Sequence, residues 1–184
     1  MFLCVAARCD SRFELSENII DDKYDNFYEI FVYSFFDSDG NGVGDLNGVT
    51  EKLDYIRGMG YTALWLMPIS PSPSYHKYDV TDYKAVDPLY GSMSDFEDLV
   101  AAAHGKGIKV IIDLVVNHTS DQHPWFKAAL TAAIKGDTSD PYYEYYNFSD
   151  QPLSGYAQIG NVYYEARFNS GMPDLNLDSQ AVRE

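Results

Sequence analysis

The stretch Ile108-Lys109-Val110-Ile111-Ile112-Asp113-Leu114-Val115-Val116-Asn117-His118 indicates the fold class more clearly than any other part of the chain. Its apolar, β-branched residues predict a buried strand over 108–116, and the preceding segment 104–107, His-Gly-Lys-Gly, predicts a short loop after a helix. Polar side chains at the carboxyl end of a parallel barrel strand usually belong to an active site. Asn117 and His118 stand at that end and are therefore candidate site residues, with a purely structural histidine as the alternative.

Strands and helices also alternate before this stretch. Strands are predicted over 27–36 and 63–67, and helices over 46–59 and after the capping box Ser94-Asp95-Phe96-Glu97. This order of elements predicts a parallel sheet with right-handed crossovers, and therefore an α/β fold. Neither a G-x-G-x-x-G motif nor a Walker loop occurs, which makes a nucleotide-binding doubly wound fold the weaker choice.

The pattern changes after His118. A helix is predicted over 125–135, and the segment 142–168 carries nine aromatic residues among its twenty-seven, with Pro, Gly and Asn between them. Because such a segment is too rich in aromatic residues to be a linker, we predict an irregular excursion from the third strand that forms a small subdomain of its own.

The composition restricts the class of partner. The 184 residues carry a formal net charge of −15, with 46% hydrophobic residues and 16 Tyr. The negative charge argues against nucleic acid and anionic lipid as partners, whereas a neutral, polyhydroxylated ligand suits both the acidity and the aromatic content. Solubility is the simpler explanation of the charge.

The amino-terminal residues give no functional signal. Residues 1–26 are interpreted as an irregular leader, because the apolar segment 1–7 is too short for a membrane span or a full signal peptide. Cys4 and Cys9 define neither a zinc spacing nor a disulfide framework. No membrane span is expected.

An acidic loop, Asp37-Ser38-Asp39-Gly40-Asn41-Gly42-Val43-Gly44-Asp45, predicts a metal site. Calcium takes about six to eight oxygen ligands, including backbone carbonyls, and clustered carboxylates repel one another unless a cation neutralises them. The loop begins like an EF-hand, but Gly48 stands where the bidentate glutamate would be, so an EF-hand is disfavoured. A turn without an ion is the alternative. The candidate ligands are the side chains of Asp37, Asp39, Asn41 and Asp45 and the carbonyl of Val43.

A second group of candidates follows the second predicted strand, within Tyr75-His76-Lys77-Tyr78-Asp79-Val80-Thr81-Asp82-Tyr83. Tyr78 is a candidate stacking platform for a sugar ring and Asp79 a candidate acceptor for sugar hydroxyls, although an ordinary polar loop has the same composition. Asp113 is predicted to lie inside an apolar strand, where a carboxylate is costly unless it is paired. A structural ion pair with an arginine is favoured there over acid/base chemistry.

In these segments the chain resembles the α-amylase family of retaining glycoside hydrolases. Five segments match in order across residues 27–176, and the five together are highly specific. They are Gly44-Asp45-Leu46-Asn47-Gly48, Trp65-Leu66-Met67-Pro68, Tyr78-Asp79-Val80, Asp113-Leu114-Val115-Val116-Asn117-His118 and Met172-Pro173-Asp174-Leu175-Asn176.

The resemblance implies a (β/α)8 TIM barrel with a small domain inserted after the third strand, and an incomplete barrel of about three strands in this chain. Residues 27–118 would form the first part of the barrel, and residues 119–184 the inserted domain. The resemblance further implies cleavage of α-glucosidic bonds in starch or malto-oligosaccharides with retention of the anomeric configuration.

Roles for single residues are implied in the same way. Tyr78 would stack on the glucose at the cleavage point, and Asp79 and His118 would bind its hydroxyls. Asp113 would orient an arginine on the following strand, and Asn117 would support the site or the inserted domain. The loop 37–45 would hold Ca2+.

The segment 172–176 is intermediate between the oligo-1,6-glucosidase and neopullulanase branches, in which α-amylases that act outside the cell occur. We therefore expect an α-amylase-like enzyme located outside the cell or at its surface. The alternative is a non-catalytic family member, a binding subunit with an amylase-like barrel. The intact acidic loop together with Tyr78, Asp79 and His118 favours the enzyme.

Retaining hydrolysis requires two carboxyl groups about 5 Å apart, one as nucleophile and one as acid/base. The resemblance places both on later strands, beyond Glu184, with the nucleophile in a Gly-x-Arg-x-Asp motif that does not occur in these 184 residues. We therefore predict that this polypeptide alone hydrolyses nothing and, with exposed sheet edges and half a core, is poorly soluble or partly unfolded. Starch hydrolysis by the purified polypeptide, or a sharp cooperative melt, would contradict this.

Overall fold

The computed structural model describes residues 24–184, so the predicted leader over 1–26 lies almost wholly outside the described residues, as do Cys4 and Cys9. Within the described range the chain forms two compact units, one of residues 24–69 and 86–113 and the other of residues 70–85 and 114–184. The domain division at residue 118 stays a prediction. None of the helices in residues 24–184 has the length and apolar character needed to cross a membrane.

The first unit contains a three-stranded parallel sheet. Strands β1 (Phe27–Ile30), β2 (Ala63–Leu66) and β3 (Lys109–Ile112) lie in that order. Phe27 of β1 pairs with Ala63 of β2, which in turn pairs with Lys109 of β3. The predicted parallel arrangement is therefore confirmed. In β2 the side chains of Leu64 and Leu66 are fully buried.

The first strand is much shorter than predicted. It ends at Ile30, and residues 32–36, predicted as strand, begin with a helical turn, α1 (Val32–Phe35). The reason is tertiary: the amide of Gly44 donates to the carbonyl of Tyr33 at 2.8 Å, and that of Asp45 donates to Phe36 at 3.1 Å. Because these two carbonyls accept hydrogen bonds from the acidic loop, residues 32–36 do not continue the strand, despite the β propensity of their aromatic side chains.

The third strand also ends earlier than predicted, at Ile112 rather than Val116. Its last bond to the neighbouring strand runs from the amide of Asp113 to the carbonyl of Leu66 at 3.0 Å, and the partner strand itself stops there, just before Pro68. Asp113 therefore follows the strand instead of lying inside it.

Two helices lie between β1 and β2, where one was predicted over 46–59. They are α2 (Leu46–Glu51) and α3 (Leu53–Gly58), separated at Lys52, whose ψ of 4° departs from helical geometry. The predicted apolar face is confirmed, because Val49, Leu53 and Ile56 are all fully buried.

Helix α4 (Met93–Gly105) precedes β3. Its capping box uses Ser92 and Asp95, not the predicted Ser94 and Glu97. Ser92 accepts from the Asp95 amide at 3.2 Å, and the Asp95 carboxylate accepts from the Ser92 amide at 2.7 Å. The residues are three positions apart both in the predicted pair, Ser94 and Glu97, and in the observed pair, Ser92 and Asp95. The reciprocal hydrogen bond to the N-cap backbone is made by Asp95.

The second unit contains helix α5 (Pro124–Lys135) and a three-stranded antiparallel sheet. The prediction of an irregular excursion over 142–168 was wrong, because this segment supplies all three strands and a short 3₁₀ turn, Tyr143–Tyr145. The strands, in the spatial order β4-β6-β5, are β4 (Phe148–Ser149), β5 (Tyr156–Ile159) and β6 (Val162–Glu165), and a last short helix is α6 (Gln180–Arg183).

Aromatic residues form the core of the second unit. Phe126 on α5 contacts Tyr146 and Tyr164 edge-on or tilted, with ring centroids 5.1 and 4.9 Å away. Val162 and Tyr164 are buried, whereas the alternate residues Tyr163 and Glu165 are only half-buried. The aromatic excess of 142–168 therefore serves packing to a large extent.

Gly48 lies where the loop, α1 and α2 pack together, and a Cβ there would overlap the backbone carbonyl of Phe36. We predict that Gly48→Ala in the natural protein lowers the free energy of unfolding by about 1–3 kcal/mol, the usual cost of overpacking. The matched control is Gly58→Ala, because Gly58 is also helical and a Cβ there meets nothing within 4 Å. Urea unfolding should show the control unchanged or stabilised by about 0.5–1 kcal/mol, and equal effects of the two substitutions would contradict the packing argument.

Candidate functional site

The acidic loop brings three carboxylates together. One ligand oxygen from each of Asp37, Asp39 and Asp45 lies within 4.8 Å of the others. Asp45 is also the N-cap of α2, where its Oδ1 accepts from the amide of Gly48 at 2.6 Å. Ser38 donates to the same carboxylate through its amide at 2.8 Å and its hydroxyl at 2.7 Å. Asp45 is therefore fixed in place by the fold, and it is only 6% exposed.

Asp37 organises the tip of the loop. Its carboxylate accepts from the amides of Gly40 at 2.7 Å and Gly42 at 2.8 Å. Hydrogen bonds from these backbone amides, that of Gly42 foremost, hold the pKa of Asp37 below its usual range. Gly40 and Gly42 have φ values of 80° and 91°, which favour glycine and allow the tight winding.

The two remaining candidate ligands lie in the same loop. Asn41 donates through Nδ2 to Asp39 at 3.0 Å, and its Oδ1 accepts from the amide of Val43 at 2.8 Å. Calcium–oxygen distances of about 2.3–2.6 Å place two ligands of one ion up to roughly 5 Å apart, so the carboxylate cluster fits a hard cation. A glutamate at position 48, as in an EF-hand, has no room because of Phe36.

A cleft in the second unit contains two of the predicted sugar-binding residues. Its volume is about 470 Å³. Tyr78 and His118 lie on its wall, 40 residues apart in sequence but brought together by the fold. The lining residues are His76, Tyr78, His118, Phe168, Asn169 and Met172.

Asp79, the third predicted sugar-binding residue, adjoins Tyr78 in the chain and is 9% exposed. Its Oδ1 accepts a hydrogen bond from Ser72 at 2.6 Å and another from Ser74. These serines were not predicted as site residues, and no motif marks them. They lie five and seven residues before Asp79, and the fold brings their hydroxyls to its carboxylate.

His118 is the most unusual group in the cleft. It is 5% exposed, and its ring lies 5.2 Å from that of Phe168. Burial lowers its pKa below the ordinary value, against a hydrogen bond with the backbone of Tyr78 and the opposing charges of Asp174 and Asp79. Its Nε2 is buried without a hydrogen-bond partner among the described residues. A buried polar atom in this state is costly unless a ligand satisfies it.

Backbone pairing fixes the position of His118. It forms a bridge with Asp174, and the amide of Leu175 donates to the carbonyl of Asn117 at 2.8 Å. The side chain of Asn117 donates to Asp174 Oδ1 at 3.2 Å. Asn117 therefore joins the two segments, while its own side chain does not line the cleft.

Asp174 is a residue for which no role was predicted, although its segment was singled out. It is 6% exposed and accepts from the amide of Arg167 at 3.3 Å. Burial raises its pKa above the usual range for an aspartate, against the effect of that hydrogen bond. The sequence carried no sign of its proximity to His118, because the two residues are 56 positions apart.

Asp113 lies in the first unit and accepts from the indole Nε1 of Trp65 at 2.6 Å. This bond joins the ends of β2 and β3. The sequence favoured an arginine as the partner of Asp113, whereas this hydrogen bond is made by Trp65 instead.

Glu184, beyond which the nucleophile and the acid/base were predicted to lie, follows α6 and is exposed. Its amide donates to the carbonyl of Gln180 at 3.1 Å, and its Oε1 accepts from the side-chain amide of the same residue. These contacts are local to the end of the helix, and Glu184 does not line the cleft that contains Tyr78 and His118. The position of the two catalytic carboxyl groups beyond Glu184 stays a prediction.

Comparison with known proteins gives consistent results. The sequence profile of the family described as "Alpha amylase, catalytic domain" matches residues 29–184. The chain is 52% identical over 162 residues to Alpha-amylase 3 of Dictyoglomus thermophilum, covering 86% of this chain and 32% of that protein. It is 42% identical over 168 residues to Glucan 1,6-alpha-glucosidase of Streptococcus dysgalactiae subsp. equisimilis, covering 85% and 30%.

A solved structure, Eubacterium rectale Amy13B, superimposes with a TM-score of 0.85 at 56% identity, covering 88% of this chain and 33% of that one. The chain thus spans about a third of the length of the relatives that it matches. The family resemblance and the interpretation as an incomplete TIM barrel are both confirmed.

Proposed function

Since this chain belongs to the α-amylase catalytic-domain family, we propose that the natural protein hydrolyses α-glucosidic bonds in starch or malto-oligosaccharides with retention of configuration. The observation that carries the proposal is the cleft in which Tyr78 and His118 meet next to Asp79. The names of the relatives, an α-amylase and a glucan 1,6-α-glucosidase, support the same class of substrate.

We propose three sugar-binding roles, for Tyr78 and His118 in the cleft and for Asp79, which adjoins Tyr78 in the chain. The ring of Tyr78 stacks on the C–H face of a glucose unit. The carboxylate of Asp79 accepts hydrogen bonds from the hydroxyls of this glucose unit. Such bonds are stronger when the acceptor oxygen is charged than when it is neutral. The buried Nε2 of His118, which has no hydrogen-bond partner among the described residues, forms a hydrogen bond with the sugar.

The neutral state of His118 suits this role. Burial lowers its pKa, which favours the uncharged ring. Its Nδ1 lies 3.3 Å from the side-chain amide of Asn117, which favours Nδ1 as acceptor and the proton on Nε2. His118 would then donate a hydrogen bond to a sugar oxygen.

Two further residues have supporting roles in the proposal. Asp113, held by Trp65, would orient an arginine, and Asn117 would hold the residues around His118 against Asp174. The nucleophile and the acid/base, two carboxyl groups about 5 Å apart in a retaining enzyme, would come from other segments of the natural protein.

We further propose that the loop 37–45 binds Ca2+ through Asp37, Asp39, Asn41, Asp45 and the carbonyl of Val43. The close approach of three carboxylates supports this, since a divalent cation removes their mutual repulsion. The loop packs on α1 and caps α2, so the ion would stabilise the fold rather than take part in the reaction. A location outside the cell or at its surface, where calcium is abundant, accords with this role.

Hydrolysis of maltotetraose by the natural protein, followed by NMR, tests the proposed activity. We expect the α-anomer to form first, and Asp79→Asn to lower kcat/KM roughly 100-fold, the scale of losing charged hydrogen bonds in the transition state. An α-1,6-linked substrate such as isomaltose, assayed in parallel, identifies the preferred bond.

The control is Asp150→Asn, an exposed aspartate outside the cleft that should leave kcat/KM unchanged. First formation of the β-anomer would contradict retention. Binding of maltotetraose without hydrolysis would favour the alternative, a non-catalytic binding subunit.

Metal removal tests the calcium proposal. We expect EDTA to lower the melting temperature of the natural protein by several degrees and added Ca2+ to restore it, because a cation that binds only the folded state stabilises that state. Asp39→Asn, at an exposed position with little packing, should reduce the Ca2+-dependent shift in calorimetry, whereas Asp150→Asn should retain it. An identical shift in both variants would show that the ion lies elsewhere.

A further inference from the structure

The carboxylate of Asp79 is held by two serines of its own loop. The hydroxyls of Ser72 and Ser74 both donate to the same oxygen, Oδ1, and the amide of Ser74 in turn donates to the hydroxyl of Ser72 at 3.3 Å. The two hydroxyl oxygens lie 3.3 Å apart. The Ser74 hydroxyl also lies 3.1 Å from Nδ1 of His76, but it is closer to the Asp79 carboxylate, a charged and therefore stronger acceptor, so its single proton is directed at Asp79.

His76 is the other polar group near this oxygen, and its Nδ1 is within hydrogen-bond distance of the Ser74 hydroxyl, at 3.1 Å. Its Nδ1 lies 3.9 Å from Asp79 Oδ1, beyond hydrogen-bond distance. The same nitrogen accepts from the amide of Tyr78 at 3.1 Å. Nδ1 therefore acts as an acceptor toward this amide. The hydrogen bonds to Asp79 Oδ1 therefore come from the serines, and the imidazole reaches this carboxylate only through its contact with Ser74.

The backbone of the loop fixes both serines opposite Asp79. Lys77 adopts a left-handed φ of 66°, which turns the chain back on itself. The amide and the hydroxyl of Thr81 both donate to the carbonyl of Pro71 at 2.9 Å, which closes the loop at its base. The Nζ of Lys77 lies 3.4 Å from the carbonyl of Ser72. The serines are thus presented by a closed turn rather than by a free segment.

We propose that Ser72 and Ser74 are positioning residues that fix the rotation of the Asp79 carboxylate and leave Oδ2 as the acceptor for a sugar hydroxyl. The proposal rests on the function proposed above. A carboxylate offers about four acceptor sites, and the two serines occupy those of Oδ1. Without them the group rotates about the Cβ–Cγ bond and spreads its acceptor sites over several directions.

A double-mutant cycle on the natural protein tests this inference, with maltotetraose as the probe. We expect Ser72→Ala and Ser74→Ala each to lower kcat/KM roughly tenfold, the effect of one hydrogen bond to a charged group. In both serine variants, the loss in kcat/KM should be divided between a higher KM and a lower kcat in the same proportion as in Asp79→Ala. In the Asp79→Ala background the same serine substitutions should change kcat/KM less than about twofold, because their target is gone.

Two further variants separate positioning from folding. Ser72→Thr retains the hydroxyl and should restore most of the activity lost in Ser72→Ala. Ser139→Ala removes a comparable serine–aspartate bond, from Ser139 to Asp137 at 2.7 Å on the exposed surface of the same unit, and should leave kcat/KM unchanged. A merely structural role would lower the amount of active enzyme, and hence kcat, with KM unchanged.

Each outcome bears on a different claim. Additive losses in the cycle, or no rescue by threonine, would overturn the positioning role while leaving the proposed function intact. If the unsubstituted protein binds maltotetraose without hydrolysing it, the same cycle is measured in Kd with the same expectations. If it neither binds nor hydrolyses maltotetraose, the proposed function and the positioning role both fail.

Discussion

Backbone hydrogen bonds between separate segments fix the positions of the acidic loop and of the residues around His118. In the first unit, the bonds from Gly44 to Tyr33 and from Asp45 to Phe36 dock the acidic loop on α1. In the second, the bond from Leu175 to the carbonyl of Asn117 joins the residues around His118 to those around Asp174. Since a buried amide or carbonyl without a partner costs about as much as a lost hydrogen bond, these pairings leave little freedom to the segments they join.

Steric fit restricts the same regions further. Positions 44 and 48 favour glycine, because a side chain would overlap the carbonyl of Val32 or of Phe36 unless the backbone shifts. The acidic loop is therefore shaped by packing at its base and by hydrogen bonds to Asp37 at its tip. Carboxylates held at close range by such a frame cannot move apart to relieve their repulsion, which is the physical basis for expecting a cation among them.

Several buried polar groups gather around the cleft at a cost in stability. His118 and Asp174 are almost fully buried, and burial shifts the pKa of each toward the neutral form. Asp79 is equally enclosed but receives two hydroxyl donors on one oxygen. A cleft lined by an imidazole whose Nε2 has no hydrogen-bond partner among residues 24–184 is suited to a ligand with many hydroxyls, which supplies both acceptors and donors.

The sequence by itself determined the parallel order of three strands, the buried face of Val49, Leu53 and Ile56, and the segments that mark the family. These features are local patterns of apolar side chains, turn residues and short motifs, which the chain carries before it folds. The tertiary structure alone decided that the first strand stops at Ile30 and that the aromatic segment forms an antiparallel sheet around Phe126. It also decided that Asp174 lies beside His118 and that two serines hold Asp79. These features depend on hydrogen bonds whose partners are brought together by packing and by single backbone angles such as the φ of Lys77, and no pattern of neighbouring residues encodes such distances.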